Sequence, residues 1–164
     1  MALFSKKSKR KAAEREEFID YLRSAQDLDS DGKLIEPKVA EHVSLKGADL
    51  SGADLRHANF RYSDLSESDL SGADLSDADL SWANLNRANL TGSNLKRARM
   101  IDAMLQDSNL TDADLTGATG LLAECLKGAT ATDTTKWPPG FSPEIRSQGP
   151  LLHDRAMGRI QDLD

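Results

Sequence analysis

Few residues of the 164-residue sequence have the types and spacing that catalysis requires. The three histidines, His42, His57 and His153, lie far apart along the chain, and the single cysteine, Cys125, has no candidate base close to it in the sequence. An enzyme needs such groups to converge in a pocket, and the sequence has no phosphate-binding or dinucleotide-binding glycine pattern. We therefore predict a protein that is not an enzyme and that uses no cofactor.

One segment has the spacing of a metal-binding loop. Asp27, Asp29 and Asp31, followed by Gly32, match the first half of a calcium loop of the EF-hand type. Position 12 of such a loop requires a bidentate acid, but Lys38 occupies it here. Two interpretations remain open: a calcium site formed by the three aspartates, and a plain acidic turn, which the lysine favours.

Composition and charge exclude several further classes. No run approaches the ~20 apolar residues of a membrane span, and a single cysteine excludes internal disulfides and fits a reducing compartment. Residues 1–11 are basic, but no apolar stretch follows them, so they are not a secretory signal. We predict a cytoplasmic protein that does not bind nucleic acid directly. Weak attachment of residues 1–11 to an anionic membrane is an alternative.

The element that must position the remaining residues is a repeat of five residues, which runs from Val43 to Gly117. Its central residue is Leu in 13 of 15 repeats, a small residue lies two positions earlier, and Asp or Asn directly precedes the centre in 12. A period of five fits neither a helix nor a flat strand, so each repeat is a short extended piece followed by a turn. The small residue and the centre then share one buried side. The predicted core centres are Leu45, Leu50, Leu55, Phe60, Leu65, Leu70, Leu75, Leu80, Leu85, Leu90, Leu95, Met100, Leu105, Leu110 and Leu115.

This pattern, A(D/N)LXX, resembles that of the pentapeptide-repeat proteins. The resemblance implies an all-β solenoid, a right-handed quadrilateral β-helix in which four repeats form one coil. Gly52, Gly72 and Gly92 recur every 20 residues, which supports four repeats per coil. The fifteen repeats would then form about four coils.

The flanking segments are predicted to close the two ends of the solenoid. We divide the chain into a basic flexible tail (1–11), a capping segment with a short α-helix and an acidic loop (12–42), the β-helix (43–119), a C-terminal cap (120–141) and a flexible tail (142–164). After Leu115 the spacing slips by one residue, which predicts a short helical turn. The segment from Thr135 to Phe141 resembles the tail of bacterial, notably cyanobacterial, family members, and a homodimer through this end is one assembly that the resemblance implies. The predicted plug of this end comprises Leu121, Leu122, Leu126, Trp137 and Phe141.

Residues 20 apart should lie above one another, and this register predicts an aromatic face. Tyr62 and Trp82 form an outward column, with Arg61, Arg99 and Ile101 beside them. Protein interfaces are enriched in exposed aromatic residues and arginine. We predict a non-catalytic scaffold that presents this face to a protein partner. The structural interpretation, in which the two rings merely stack on each other or lie under a terminal segment, stays open.

Two alternatives compete with the scaffold. A branch of the family that the sequence resembles mimics DNA and inhibits or protects DNA gyrase. The repeat segment 43–119, with 12 Asp and Glu against 7 Lys and Arg, has a net charge of −5 that would suit such a mimic. Basic residues in the second half of the repeats, Arg87, Lys96, Arg97 and Arg99, interrupt the acidic surface and weaken this hypothesis. The second alternative is a scaffold recruited to a membrane by its basic N-terminus.

Overall fold

A computed structural model describes residues 16–22, 40–141 and 143 of the chain. Its main element is a stack of coils joined by parallel β-bridges. Within the repeats each bridge joins a residue to the one 20 positions later, as in Ser44 with Asp64 and Asp49 with Asp69. We name the four complete coils by their residues: coil 1 (40–59), coil 2 (60–79), coil 3 (80–99) and coil 4 (100–119). Every bridge is an isolated pair rather than part of a longer strand. Four repeats therefore complete one coil, as the glycine spacing predicts.

Each repeat turns the chain by a hydrogen-bonded type II turn. In all fifteen repeats, the N–H three residues after the centre donates to the carbonyl of the centre, as Ala48 does to Leu45 at 2.9 Å. The third residue of the turn has a positive φ, which is the mark of a type II turn. Glycine adopts this left-handed backbone without strain, and the non-glycine residues there include no β-branched side chain. Those ten residues are His57, Tyr62, Glu67, Asp77, Trp82, Arg87, Arg97, Asp102, Asp107 and Asp112, and His42, just before the first repeat, has the same backbone.

The Asp or Asn before each centre caps the turn that follows it. Asp69 Oδ1, for example, accepts a hydrogen bond of 2.9 Å from the N–H of Ser71. The same bond forms in all 12 repeats that have Asp or Asn at this position. The repeat centred on Leu105 has Met104 instead of Asp or Asn and lacks this cap; there Asn86 Oδ1 of the coil below accepts the N–H of Gln106 at 2.8 Å. The acidic character of the repeats is thus largely a requirement of the turns.

The core is a narrow column of the repeat centres and their small neighbours. All fifteen centres are 0–1% exposed. Where serine replaces alanine at the small position, its hydroxyl is paired: Ser68, Ser93 and Ser108 donate to the carbonyl of the preceding centre at 2.7–2.9 Å, and Ser63 donates to Ala40. Serine is tolerated inside the column because its hydroxyl finds a backbone acceptor there.

Helical segments lie outside the repeats at both sides. Residues 16–22 are α-helical, and Ile19 and Leu22 are buried in the same hydrophobic cluster as the coils. At the other side, a 3₁₀ helix spans Ala123–Leu126. The bridge spacing widens there from 20 residues to 21 and then 22, as Asn109 pairs with Thr130 and Asp114 with Lys136. The chain after coil 4 therefore contains two extra residues, of which the sequence analysis anticipates only one.

The C-terminal end is covered by part of the predicted plug. Leu121 and Leu126 are buried, and Trp137 and Phe141 pack against the core with their rings 5.5 Å apart. Leu122 does not belong to the plug: its side chain is 43% exposed. It directly precedes the 3₁₀ helix, in extended backbone, where successive side chains point to opposite sides, so burial of Leu121 turns Leu122 outward.

Several predictions concern residues outside the described ranges. These are the basic segment 1–11, the calcium-loop aspartates Asp27, Asp29 and Asp31, and residues 144–164 of the C-terminal tail. Among the described residues, no helix is long and apolar enough to cross a membrane.

Candidate interaction face

Three aromatic side chains stack outside the coils. The rings of His42 and Tyr62 are 4.8 Å apart and tilted by 6°, and those of Tyr62 and Trp82 are 5.0 Å apart and tilted by 10°. All three residues occupy the left-handed position of the turn in successive coils. Their side chains project in parallel at the spacing of neighbouring strands, which places the rings face to face. We call His42, Tyr62 and Trp82 the aromatic ladder.

The ladder is a surface feature and not part of the core. Tyr62 is 44% exposed and Trp82 is 36% exposed, and His42 is exposed as well. The rings of Tyr62 and Trp82 stack on each other, as one interpretation of the sequence predicts, and both side chains nevertheless stay exposed to solvent. A column of large rings remains accessible to a binding partner.

Arg61 lies against two rungs of the ladder. Its guanidinium carbon is 4.8 Å from the centre of the Trp82 ring and 5.5 Å from that of Tyr62, which are cation–π distances. The same guanidinium is 3.4 Å from Asp79 and 3.8 Å from Glu41. Arg61 thus combines an aromatic surface with carboxylates, as arginine does at protein interfaces.

Asp79 joins this arginine to the next one along the column. It forms a β-bridge with Arg99, whose side chain is exposed. Burial alone would raise the pKa of Asp79, but the N–H of Ser81, which donates to Oδ1 at 3.0 Å, and the charges of Arg99 and Arg61 hold that pKa below its usual value. The charges of Glu41, Arg61, Asp79 and Arg99 therefore compensate one another.

Ile101 is not in line with the ladder, although the sequence analysis places it beside Trp82. The residue 20 positions after Trp82 is Asp102, which has the same left-handed backbone with φ +53°. Ile101 is half-buried under the next segment of chain: a Cβ on Gly120 would lie 2.6 Å from its Cγ1. The exposed face therefore comprises the ladder, Arg61, Arg99 and Asp102.

His42 is the rung that the sequence analysis missed. The signal was present, because His42 lies 20 residues before Tyr62, but it lies just outside the first repeat, which begins at Val43. Its ring covers one side of Tyr62, so the ladder has three rungs instead of two.

The other candidate groups do not form a chemical site within the described residues. No group of three or more His, Cys, Asp and Glu residues there could hold a metal ion. Cys125 lies within the 3₁₀ helix. Its burial and the negative charges of Glu124 and Asp102 raise the pKa of its thiol. A raised pKa keeps the thiol protonated, and the thiolate is the reactive form.

Comparison with known proteins agrees with this geometry. The family model for pentapeptide repeats matches residues 41–77 and 78–117. A pentapeptide repeat protein from Nostoc PCC 7120 is 35% identical, with a TM-score of 0.51 over 57% of this chain and 77% of its own. One from the Arabidopsis thaliana thylakoid lumen is 27% identical, with a TM-score of 0.51 over 60% of this chain and 65% of its own. QnrB1, a plasmid-mediated fluoroquinolone resistance protein, is 19% identical, with a TM-score of 0.23 over 65% of this chain and 70% of its own. No protein of curated function matches the sequence.

The chain belongs to the pentapeptide-repeat family, whose fold is a right-handed quadrilateral β-helix. The resemblance seen in the sequence is thereby confirmed. This chain spans a little less than two thirds of the length of the Arabidopsis protein, so the fold is shared over that part only.

Proposed function

We propose that the protein is a non-catalytic scaffold that binds a protein partner through the aromatic ladder. The observation that carries the proposal is the exposure of Tyr62 and Trp82, at 44% and 36%, on a backbone position that glycine fills at five of the fifteen repeat turns. The turn itself does not require a ring there. Large exposed rings beside an arginine are the side chains that supply most binding energy at protein interfaces.

The solenoid supports this role because it holds the rings in fixed positions. Each rung is attached to a coil whose backbone is hydrogen bonded to its neighbour; Tyr62 N–H, for instance, donates to Ser81 O at 3.2 Å and Trp82 N–H donates to Ile101 O at 2.8 Å. Stacking further restricts the ring torsions. A preorganised aromatic surface loses little conformational entropy on binding.

The DNA-mimic alternative is less well supported. Its charge requirement conflicts with the cations of coil 3 and above, where Arg87 pairs with Glu67 at 4.0 Å and Lys96 and Lys136 pair with Asp114 at 3.4 and 3.1 Å. An identity of 19% and a TM-score of 0.23 to QnrB1 are too low to carry an argument. A DNA supercoiling assay with gyrase tests this alternative, and we expect neither inhibition nor protection at micromolar protein.

Affinity purification with matched variants tests the scaffold proposal. The test variant is Tyr62→Asn/Trp82→Asn, because asparagine tolerates the left-handed backbone. The matched control is Glu67→Asn/Arg87→Asn, which changes the same turn position of the same two coils on the neighbouring face. Circular dichroism and the unfolding midpoint of each variant establish that both remain folded.

We expect a partner that the wild-type protein and the control retain and that the ladder variant loses by at least about tenfold, the effect of removing interface hot spots. A partner retained equally by the ladder variant would overturn the proposal. The homodimer is a separate proposal, which light scattering of the purified protein tests by its molar mass.

A further inference from the structure

The two ends of the aromatic ladder differ from its middle. Tyr62 is covered on both ring faces, by His42 and by Trp82. Trp82 is the last ring, so one face of its indole rests on Tyr62 and the other points toward coil 4. The next residue in register there is Asp102, whose side chain is too short to cover an indole ring.

The carboxylate of Asp102 is available for an external partner. Within the described residues it makes neither a hydrogen bond nor an ion pair, and the residue is exposed. Two other aspartates at the same turn position are engaged: Asp77 pairs with Arg97 at 2.5 Å, and Asp112 accepts hydrogen bonds from Thr132 and Thr134. Asp107, at the same turn position on the neighbouring face, is likewise exposed and makes no side-chain hydrogen bond or ion pair within the described residues. What distinguishes Asp102 is therefore its place in register above Trp82.

The charge around the Trp82 end of the ladder favours a cationic ligand. Glu41, Arg61, Asp79 and Arg99 form a chain of two acids and two bases that compensate one another, and Asp102 adds an uncompensated negative charge. The protein as a whole carries a net charge of −6. A phosphate-bearing ligand would be repelled by this charge.

The ladder already shows which cation suits it. The Arg61 guanidinium, which comes from the coil of Tyr62, lies 4.8 Å from the Trp82 ring centre and 3.4 Å from Asp79. The free face of Trp82 and the carboxylate of Asp102 offer a second guanidinium the same two kinds of group, although the register equivalent of Asp79 one coil higher is Arg99 and not Asp102. A guanidinium is planar, stacks on aromatic faces and binds carboxylates through two N–H groups, whereas a lysine ammonium is a strongly hydrated point charge.

We infer that the partner of the aromatic ladder presents an arginine, which stacks on the free face of Trp82 and pairs with Asp102. The inference rests on the proposed function, because it names the group of the partner that the ladder recognises. The source is a protein segment, since net negative charge disfavours nucleic acid at this face.

A titration of the full-length, ¹⁵N-labelled protein tests the inference by nuclear magnetic resonance. The probes are acetyl-triarginine amide and acetyl-trilysine amide, which carry equal charge. The indole N–H signals of Trp82 and Trp137 are read separately, after assignment with Trp82→Phe. We expect triarginine to shift the Trp82 signal and leave that of Trp137 unchanged, and trilysine to bind at least about threefold more weakly.

The carboxylate is tested by Asp102→Asn against Asp107→Asn. Both variants remove one charge at the left-handed position of adjacent repeats, but Asp107 lies on the neighbouring face without a ladder. We expect Asp102→Asn to weaken triarginine binding by about fivefold and Asp107→Asn by less than about twofold. Equal losses in the two variants, equal binding of trilysine, or a larger Trp82 shift with an oligothymidine would each overturn the inference.

The two proposals fail in different ways. If the ladder variant loses its partner while Asp102→Asn retains it and triarginine leaves the Trp82 signal unmoved, the arginine inference fails and the scaffold proposal stands. If triarginine binds through Asp102 but the ladder variant still retains every partner, the arginine site stands and the scaffold proposal fails.

Discussion

Two faces of the column use the same turn in different ways. The glycine face, centred on Leu50, Leu70 and Leu90, has Gly52, Gly72 and Gly92 at the left-handed position, with φ of 63–64°. The aromatic face has Tyr62 and Trp82 there, with φ of 58–59°. The backbone is almost the same, but the first face leaves a flat, small surface and the second an exposed stack of rings.

The difference shows what the fold requires and what it leaves open. The fold requires a left-handed residue at every fifth position, and glycine meets this requirement without strain. A tyrosine or tryptophan there is strained by roughly 1–2 kcal/mol, and stacking of a ring pair offsets about 0.5–1.5 kcal/mol. Because the strain applies to each residue and the stacking to each pair, stacking offsets only part of the strain, and the rings add no net stability to the solenoid.

The largest expected effect is the loss of stability when a core leucine is truncated, and it should occur on both faces. Leu70→Ala and Leu80→Ala each delete a side chain that is 0% exposed, and we expect each to lower the free energy of unfolding by about 2–5 kcal/mol. Urea denaturation measures both values. If either variant cost less than about 1 kcal/mol, that leucine would not belong to a core that the two faces share.

The next effect isolates the backbone of the glycine face. A Cβ on Gly72 would meet nothing within 4 Å, so substitution there changes backbone strain alone. We expect Gly72→Val to cost about 1–3 kcal/mol, and Gly72→Asn to cost less because asparagine adopts the left-handed region more readily. Thermal unfolding followed by circular dichroism compares the two. If valine costs no more than asparagine, the left-handed requirement is not what separates the faces.

A smaller effect concerns the turn caps, which both faces share. Asp69 on the glycine face and Asp79 on the aromatic face each accept the N–H of the residue two positions later, at 2.9 and 3.0 Å. Asp69 Oδ1 also accepts a hydrogen bond from Asn89 Nδ2 at 3.1 Å. We therefore expect Asp69→Ala to lower the free energy of unfolding in urea by about 1–2 kcal/mol, the value of two partly exposed hydrogen bonds. Asp69→Asn keeps the oxygen acceptor and serves as the control, and it should cost less than the alanine variant.

The smallest effect is a pH dependence that involves the aromatic face. The pKa values of Asp77, Asp79 and Asp114 are lowered in the folded protein by hydrogen bonds and by arginine or lysine, against the opposing effect of burial. Their contribution to stability is therefore present above the ordinary aspartate pKa of about 3.9 and is lost as the pH falls below it.

The midpoint of thermal unfolding, measured between about pH 6 and pH 2.5, should fall over the acidic part of this range. Asp79→Asn should make the fall shallower, because it removes one of the three titrating groups. A fall of the same size in this variant would assign the acid sensitivity to other carboxylates.

Much of the fold could be predicted because the repeat has one geometric solution. The Leu centres identify the buried side, and Gly52, Gly72 and Gly92 indicate 20 residues per coil, which the bridges realise. Which side chains lie above one another on the surface could be predicted only by counting residues in exact steps of 20. Ile101 is apolar but lies one position before the register of the ladder, and the residue 20 positions after Trp82 is Asp102.

The C-terminal cap was harder to predict because the repeat ends there. Once the period of five is lost, the pattern no longer states which side of the chain is buried. A helical turn at this point would bring Leu122 over the last coil with Leu121 and Leu126, but the backbone at Leu122 is extended and the residue is 43% exposed. The second extra residue falls before Lys136, where Thr135 Oγ donates to Leu110 O at 2.8 Å and holds the wider loop on the column. A single threonine hydroxyl carries no recognisable sequence signal.

The ladder depends on a coil of 20 residues, and this has a consequence for insertions and deletions. Removing one repeat between Tyr62 and Trp82 would keep every remaining leucine inside the column, yet it would rotate everything above by a quarter turn and move Trp82 to the neighbouring face. Inserting four repeats between them would instead keep both residues on one face, one coil further apart. Changes in length by single repeats therefore preserve the fold but change which side chains lie above one another on the surface. Only changes by whole coils preserve both the fold and this alignment.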